Sequence, residues 1–553
     1  MGRYRTEPPV EIAEPRGQGM PRRDFLRALA AAGAGTAIAS VFGPVPRAFA
    51  GRPRAAALAA VDVYPDGVIA GDPRPDGTVL WTRVAPPEDR GAVSVAWMVG
   101  GDDAFATVVA GGLVTVDAAT DWCVKVRVRG LLPDRWYPYR FVAYGTESRV
   151  GRLRTAPRAT SQPDRLRYAF ASCQQQGVHG VDGRESLYVT HRAIAADEPD
   201  FFLHLGDYVY VSDGGTITVD DYRGVYKRFR RNPYLQDLQA AVPTVFVWDD
   251  GEFYNGVDRT GPPVRLAAAR RAWFEVMPVE NDGSDRIYRR LTWGKLADLL
   301  LLDTRQYRDP EVPANRFESF LDFQDSRLPP GPDMFAPGRT TLGAPQKAWL
   351  ETELLASRAA WRMIGSSYNV TPWRYRDLDD HTGLLAGDPR LAQNAGVYVS
   401  NEAWDDYQAE RRELLRYLAD RDIRNNVITS AHTHFYLASE LMVDFDDRNS
   451  PVAAFDFTSG SQTADPDPRE LAGEAILRAA EIAFKRENQP YMKWIDLVYQ
   501  GFTLVDLTPE ECIVRFRGVD TFDPDAEAFT FAKFRVANGS RTMEVLDPDE
   551  DDD

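Results

Sequence analysis

The chain has 553 residues, 44% hydrophobic and 27% charged, a globular composition with room for two folded domains and not that of a disordered or fibrous chain. A formal net charge of −17 repels nucleic-acid phosphates, so stable nucleic-acid binding is disfavoured as a main activity, and the acidity is read as solubility. Three cysteines, Cys123, Cys173 and Cys512, are too few and odd in number for a disulfide framework.

Residues 1–50 read as an export signal. Pro21-Arg22-Arg23-Asp24-Phe25-Leu26-Arg27 has a twin-arginine pattern, an Ala/Gly-rich run follows from Ala28 to Phe42, and Ala48-Phe49-Ala50 offers a small-residue cleavage site before Gly51. The run is too short and too rich in Gly and Ala to serve as a membrane anchor, and no later stretch reads as transmembrane. The twin-arginine export machinery is therefore an expected partner, with the folded product secreted or held in the cell envelope.

Residues 61–157 read as a small all-β sandwich of fibronectin or immunoglobulin type. Val93–Val99, Cys123–Val128 and Tyr137–Tyr144 alternate with period two between Gly/Pro/Asp clusters. A polar linker, Arg158–Asp164, leads into residues 165–540, where apolar strands alternate with helical stretches such as Trp349–Ser357 and Glu410–Asp420. Residues 546–553 form an acidic tail, expected to be solvated.

In this second region each chemistry-bearing group follows a strand. Arg167–Ala171 ends in Ser172-Cys173-Gln174, and Phe201–Leu205 ends in Gly206-Asp207-Tyr208-Val209-Tyr210. Thr244–Trp248 ends in Asp249-Asp250, and Asn426–Thr429 ends in Ser430-Ala431-His432-Thr433-His434. The carboxyl ends of buried strands are where α/β folds bind ligands. A two-metal hydrolase needs a carboxylate that bridges ions about 3.5–4 Å apart. Asp207 suits the bridge, Tyr210 can offer a phenolate to a ferric ion, and Cys173 can offer a thiolate. Asp250 and Asn255 can supply oxygens to the second ion. His432 and His434, two residues apart on an extended loop, are expected to direct both imidazoles into one site. Only one of the adjacent Asp249 and Asp250 is expected to point inward, leaving Asp249 behind the ligands. Arg305 is a candidate for the substrate phosphate, with a buried ion pair to Asp303 or a neighbour as the competing reading. His204 reads as a core residue; His179, His191 and His381 have no motif around them and are read as structural. Glu252 is a candidate for ordering its loop.

Together these motifs resemble the alkaline phosphatase D family of metallophosphoesterases, whose relatives include secreted iron-dependent phospholipases. The likeness runs from about Tyr64 nearly to the C-terminus. It also rests on Asp66-Gly67-Val68-Ile69-Ala70-Gly71-Asp72-Pro73, Leu80-Trp81-Thr82-Arg83, Leu302-Asp303-Thr304-Arg305-Gln306-Tyr307-Arg308 and Glu402-Ala403-Trp404-Asp405-Asp406-Tyr407. The resemblance implies a double β-sheet sandwich flanked by helices and preceded by the small all-β domain. It implies Fe3+ on Cys173, Asp207, Tyr210 and His434, and calcium near Asp207, Asp250 and the His432 position.

Two positions depart from the family pattern. Asp-Asp-His-Glu becomes Asp249-Asp250-Gly251-Glu252, losing an imidazole whose general-acid help would be worth roughly 10²–10⁴ in rate. Restoring histidine at 251 is expected to speed hydrolysis of poorly activated monoesters. Gly-Asp-x-His becomes Ala431-His432-Thr433-His434, and a neutral imidazole in place of a carboxylate shifts the second ion from Ca2+ toward Zn2+, Mn2+ or a second iron.

The expected activity is hydrolysis of phosphate monoesters or diesters by a metal-activated water, with His432, Asp250 and Arg305 as catalytic candidates. Two alternatives stand beside it. One is a phospholipase-type diesterase making peripheral lipid contact through Phe317, Phe320, Phe323 and Phe335. The other, motivated by Gly251, is a non-catalytic metalloprotein that binds a phosphorylated ligand.

Overall fold

The computed structural model describes residues 20–21, 23–24, 62–86, 91–175, 187–211, 214–312, 332–375, 397–398, 403–464 and 473–549. Most of the export-signal reading therefore lies outside the described residues, as do His179, His381, Phe317, Phe320, Phe323 and residues 550–553. The chain forms two compact units. The first contains residues 1–159 with Val219–Phe246 and Arg270–Ser284, and the second contains Thr160–Thr218, Val247–Ala269 and Asp285–Asp553.

The first unit is built on a β-sandwich. Its strands are Met20–Pro21 (β1), Val68–Arg74 (β2), Gly77–Arg83 (β3), Val93–Gly100 (β4), Thr107–Val116 (β5), Cys123–Val128 (β6), Trp136–Ala143 (β7), Thr146–Glu147 (β8) and Gly151–Arg154 (β9). One sheet runs β1-β5-β4-β7-β8 with β9 also on β7; the other runs β2-β3-β6. Alternation decides which side chains face inward. Val93, Val95, Trp97 and Val99 of β4 join Val68, Leu80, Val124, Val126 and Phe141 between the sheets. Ala96 and Met98 face the other way, into a smaller cluster with Phe105, Val108 and Val142, against which Met20 packs. Met20, two residues before the arginine pair, thus extends the sheet by pairing with Val108.

The family-like opening motif has a structural job in this unit. Arg83 is buried between Asp66 (3.2 Å) and Asp121 (2.9 Å), and Lys227 also reaches Asp121 at 2.7 Å. Arg230 lies over the Trp81 ring at 4.1 Å. Each buried cation is matched by carboxylate or aromatic partners, as burial of charge requires.

The second unit is a double-sheet sandwich. Its remaining strands begin with Leu166–Ala171 (β10) and Phe201–His204 (β11). Thr244–Phe246 (β12) closes the middle segment of the first unit, and the chain then re-enters the second. There follow Arg289–Trp293 (β13), Ala297–Leu301 (β14), Trp361–Tyr368 (β15), Arg374–Tyr375 (β16), Val397–Tyr398 (β17), Asn426–Ala431 (β18), Tyr436–Met442 (β19), Val452–Thr458 (β20), Met492–Asp496 (β21), Gly501–Leu507 (β22), Glu511–Gly518 (β23), Phe529–Ala537 (β24) and Glu544–Leu546 (β25). One sheet holds β11-β10-β22-β23-β24-β25, and the other runs β13-β14-β15-β18-β20-β19-β21. Aromatic rings fill the space between them: Phe457 of β20 lies 5.6 Å from Phe534 of β24, and Phe201 lies 5.9 Å from Trp293. The outer face of the second sheet, including Leu300, Leu302, Ile364 and Ile428, is covered by Leu350 and Leu354 of helix Gly343–Ala356 and by Leu414, Leu415 and Leu418 of helix Gln408–Asp420. Strands β10 and β11 are parallel, as are β14, β15, β18 and β20.

Leu546 belongs to β25, paired with Lys533, so the acidic tail begins one residue later than its composition suggests. Among the described residues no helix is long and apolar enough to cross a membrane.

Candidate functional site

Four of the predicted ligands sit where a strand gives way to a turn, and all four adopt positive φ: Cys173 (61°), Asp207 (53°), His432 (74°) and His434 (58°). A non-glycine residue in this region costs roughly 1–3 kcal/mol. The surrounding hydrogen bonds hold the turns in place. Cys173 N–H donates to Gly206 O (3.3 Å) and Gln174 N–H to Asp207 O (3.1 Å), tying the ends of β10 and β11 together. Beyond β18, Thr433 N–H donates to Ala431 O (2.9 Å), closing a three-residue turn with His432 at its centre. The Ser172 hydroxyl accepts His432 N–H (3.1 Å) and lies 2.7 Å from Cys173 Sγ.

The side chains converge in two groups that share Asp207. Cys173, Asp207 and His434 form one; Asp207, Asp249, Asp250 and His432 form the other, the ligand atoms of each lying within 4.8 Å of one another. Around Asp207 Oδ2, Cys173 Sγ and the Tyr210 hydroxyl both lie at 3.3 Å, and Tyr210 is also 3.3 Å from His434 Nε2. His432 Nδ1 is 2.7 Å from Asp249 Oδ2, 3.8 Å from Asp207 Oδ2 and 3.9 Å from Asp250 Oδ1. Cys173, Asp207, Asp249 and Asp250 are buried, while Tyr210, His432 and His434 are partly exposed, so access is from the side of these three rings.

Electrostatics favour a cation here. Burial first, and then the Asp207 charge, pushes the Cys173 thiol up to about 11. The enclosed Tyr210 hydroxyl is raised well above its usual range by burial, Asp207 and Cys173. A bound cation would invert both effects and draw out thiolate and phenolate as ligands. Burial alone would raise Asp249, but Arg305 and His432 beside it outweigh that and hold it below the usual carboxylate range. The donor set thus fits a two-ion site: thiolate, phenolate, imidazole and carboxylate on one side, three carboxylates and an imidazole on the other.

Comparison with known proteins decides the family. The family model described as PhoD-like phosphatase matches residues 168–516, and that for its N-terminal domain matches residues 51–157. The chain belongs to the PhoD-like phosphatase family. It is similar to alkaline phosphatase D of Bacillus subtilis (strain 168), at 30% identity over 505 residues that cover 85% of this chain and 80% of the relative. A solved structure of PhoD matches with a TM-score of 0.74 at 28% identity, covering 88% of this chain and 92% of that one. The fold agrees with the architecture expected from the sequence, and the family is one of phosphoesterase hydrolases.

Against that family background, several expectations change. The extended-loop reading, with both imidazoles in one site, gives way to the division that the resemblance implies: His434 joins the Cys173 group and His432 the Asp249–Asp250 group. Both residues have left-handed backbones, which breaks the extended alternation that would have put them on one side. Asp249 lies among the second group and does not stand behind it. Asn255 keeps its place as a candidate ligand of the second ion: it stands on the exposed loop beyond, next to Gly256, whose N–H donates to Asp250 Oδ2 at 2.8 Å. Arg305 is wholly buried, with Nε on Asp249 Oδ1, Nη2 3.6 Å from Asp250 Oδ1, and its plane 4.9 Å from the Tyr368 ring. This is the buried ion pair, with Asp249 in place of Asp303.

His204 is the core residue expected: buried, with Nδ1 taking Gly206 N–H at 3.3 Å and Nε2 3.1 Å from the Gln462 amide. Asp405 and Asp406 are buried structural anchors for Arg411, the Trp373 N–H and the Val312 N–H. Gly251 reverses the expectation attached to it. A Cβ there would meet Val209 O at 2.6 Å and Asp207 Oδ1 at 2.7 Å, so a histidine enters this turn only if Val209 O and Asp207 shift.

Proposed function

We propose that this protein hydrolyses phosphate monoesters or diesters outside the cytoplasm, at a site holding Fe3+ and a second, divalent ion. Two ligand groups sharing Asp207 at the strand ends of a PhoD-like phosphatase carry this reading. Cys173, Asp207, Tyr210 and His434 would hold the iron; Asp207, Asp249, Asp250 and His432 would hold the second ion. Three carboxylates around one imidazole suit Ca2+, Mn2+ or Zn2+. When bound, such a pair supplies Lewis-acid charge against the phosphoryl oxygens and makes water acidic enough to attack near neutral pH.

The protein's own groups prepare that chemistry. Asp207 belongs to both groups and so couples their geometry. Arg305 neutralises Asp249 from behind and packs beside the His432 ring, 3.4 Å from Nδ1, which makes it a positioning residue. His432 faces Asp249 through Nδ1 and lines the partly exposed side where a phosphate ester would enter. With glycine at 251, the site favours esters whose leaving oxygen departs without an acid.

The test is purification of the exported protein, followed by elemental analysis, a visible spectrum, and turnover of p-nitrophenyl phosphate and bis-p-nitrophenyl phosphate. Expected are an N-terminus at Gly51, about one iron per chain with a tyrosinate charge-transfer band, and hydrolysis of at least one ester. Asp207→Asn should lose metal and turnover together. Retention of both, or metal-loaded protein that binds phosphate without turning over either ester, would overturn the reading. Recovery of the chain only in the cytoplasm would overturn the export assignment alone.

A further inference from the structure

Behind the two ligand groups lies a buried carboxylate that neither group uses. Glu252 is fully buried. Its Oε2 accepts the N–H of Asp207 (3.0 Å) and of Asp249 (2.8 Å), and its Oε1 accepts the N–H of Tyr208 (2.8 Å). One side chain therefore ties the turn that carries Asp207 to the turn that carries Asp249 and Asp250. The two turns touch directly as well. Gly206 has φ of +109°, and a Cβ on it would lie 2.6 Å from Asp249 N. From the same turn as Glu252, Gly251 N–H donates to Asp207 Oδ1 at 2.9 Å. That contact occupies one oxygen of the shared carboxylate, while the other, Oδ2, faces Cys173, Tyr210 and His432.

We propose that Glu252 is a positioning residue that sets the spacing between the two halves of the site, with the Gly251 N–H orienting Asp207 between them. The proposal rests on the two-ion reading above and extends it to a residue that touches no ion or substrate. A turn made of strained, left-handed residues relaxes unless something outside the ligand set holds it. Three backbone N–H groups converging on one buried carboxylate do that, because leaving any of them unpaired in the interior costs about 1–3 kcal/mol. The hydrogen bonds from Asp207 and Tyr208 to Glu252 reach from one turn to the other, alongside the Gly251 N–H on Asp207 Oδ1 and the Val211 N–H on Gly251 O, so the clamp governs the distance between Asp207 and the Asp249–Asp250 pair more than the shape of either turn alone.

Titration of metal-free full-length protein with Co2+, read by its visible spectrum, tests this without turnover. Glu252→Gln keeps the volume and can keep one oxygen facing Asp207 and Asp249, but it presents an amide N–H2 to the Tyr208 N–H. The expected result is a second Co2+ equivalent weakened by about tenfold or more, as for lost supporting partners of other metal ligands, with altered band intensities and the first equivalent retained. In the wild type, the amides of Asp207, Tyr208 and Asp249 are expected to exchange with solvent slowly and as one unit, a measurement that stands even if the variant fails to fold. Spectra and affinities in Glu252→Gln that match the wild type, or independent fast exchange of the two turns, would overturn the proposal. A protein that shows the Co2+ effect but cleaves no phosphate ester would sustain the clamp and overturn the phosphoesterase reading instead. Wild-type protein that takes up no Co2+ would remove both.

Discussion

At position 251 a missing side chain is a packing requirement. The sequence invites the view that a histidine has been lost and that its return would restore an acid. The geometry opposes it, because the Cβ would press on Val209 O and on Asp207 Oδ1 and displace the N–H that orients Asp207. Gly251→His is therefore expected to lower kcat/KM for p-nitrophenyl phosphate and to reduce bound metal. The accompanying loss of stability is about 1–3 kcal/mol, the usual cost of overpacking. A higher rate on poorly activated monoesters would count against this reading. Cys173, Asp207, Tyr210 and His434 were legible one by one, since each is a metal-binding residue type close after an apolar strand. The place of Asp249 was not, because a pair of adjacent carboxylates carries no local sign of which one turns inward. Both turn inward here, and Arg305 pairs with Asp249 from behind.

The strand-to-turn transition is the working element of this site. β10, β11 and β18 present their carboxyl ends to one place, and Val247, whose N–H donates to His204 O at 3.1 Å, brings the Asp249 turn alongside. Gly206 permits this approach by having no Cβ to meet Asp249 and by accepting φ of +109°. Gly206→Ala should destabilise the fold by roughly 1–3 kcal/mol, seen as a lower urea midpoint with unchanged slope; an unaltered midpoint would mean the two turns are free to part. Strand β6 was readable because Val124, Val126 and Val128 face the core and alternate with Lys125 and Arg127; β4 was readable from its β-branched Val93, Val95 and Val99, although its other face is buried as well. Helix Gly343–Ala356 was recognisable only in its second half. Its opening Gly343-Ala344-Pro345 reads as a loop, although proline is tolerated in a first helical turn, where the N–H has no partner to lose.

Across the whole molecule, the balance between folded and unfolded chain depends on buried neutral histidines. Burial drives His191 down to about 3, where its Nε2 sits 2.9 Å from Gln174 Oε1, and it holds His204 well below the usual range in the same sense. The unfolded chain takes up a proton on His191 near pH 6.5 while the folded chain stays neutral until about pH 3. Stability is therefore fully present above the unfolded value and is lost as pH falls through that window, at up to about 1.4 kcal/mol per pH unit for one such group. Urea midpoints measured from pH 7 down to pH 5 should fall less steeply for His191→Gln than for the wild type; parallel curves would exclude His191 as a cause of acid sensitivity.

The sequence by itself determined the β-sandwich ahead of an α/β unit and the residue types able to bind metal. Those features are local: period-two alternation, a strand followed by a turn, a ligand within a few residues of its end. Tertiary structure alone decided that Asp249 turns inward with Asp250 and that a Cβ at position 251 would press on Val209 O and Asp207 Oδ1. Each of these depends on positive φ values or on contacts between segments far apart in the chain, and neither leaves a periodic trace in the order of residues.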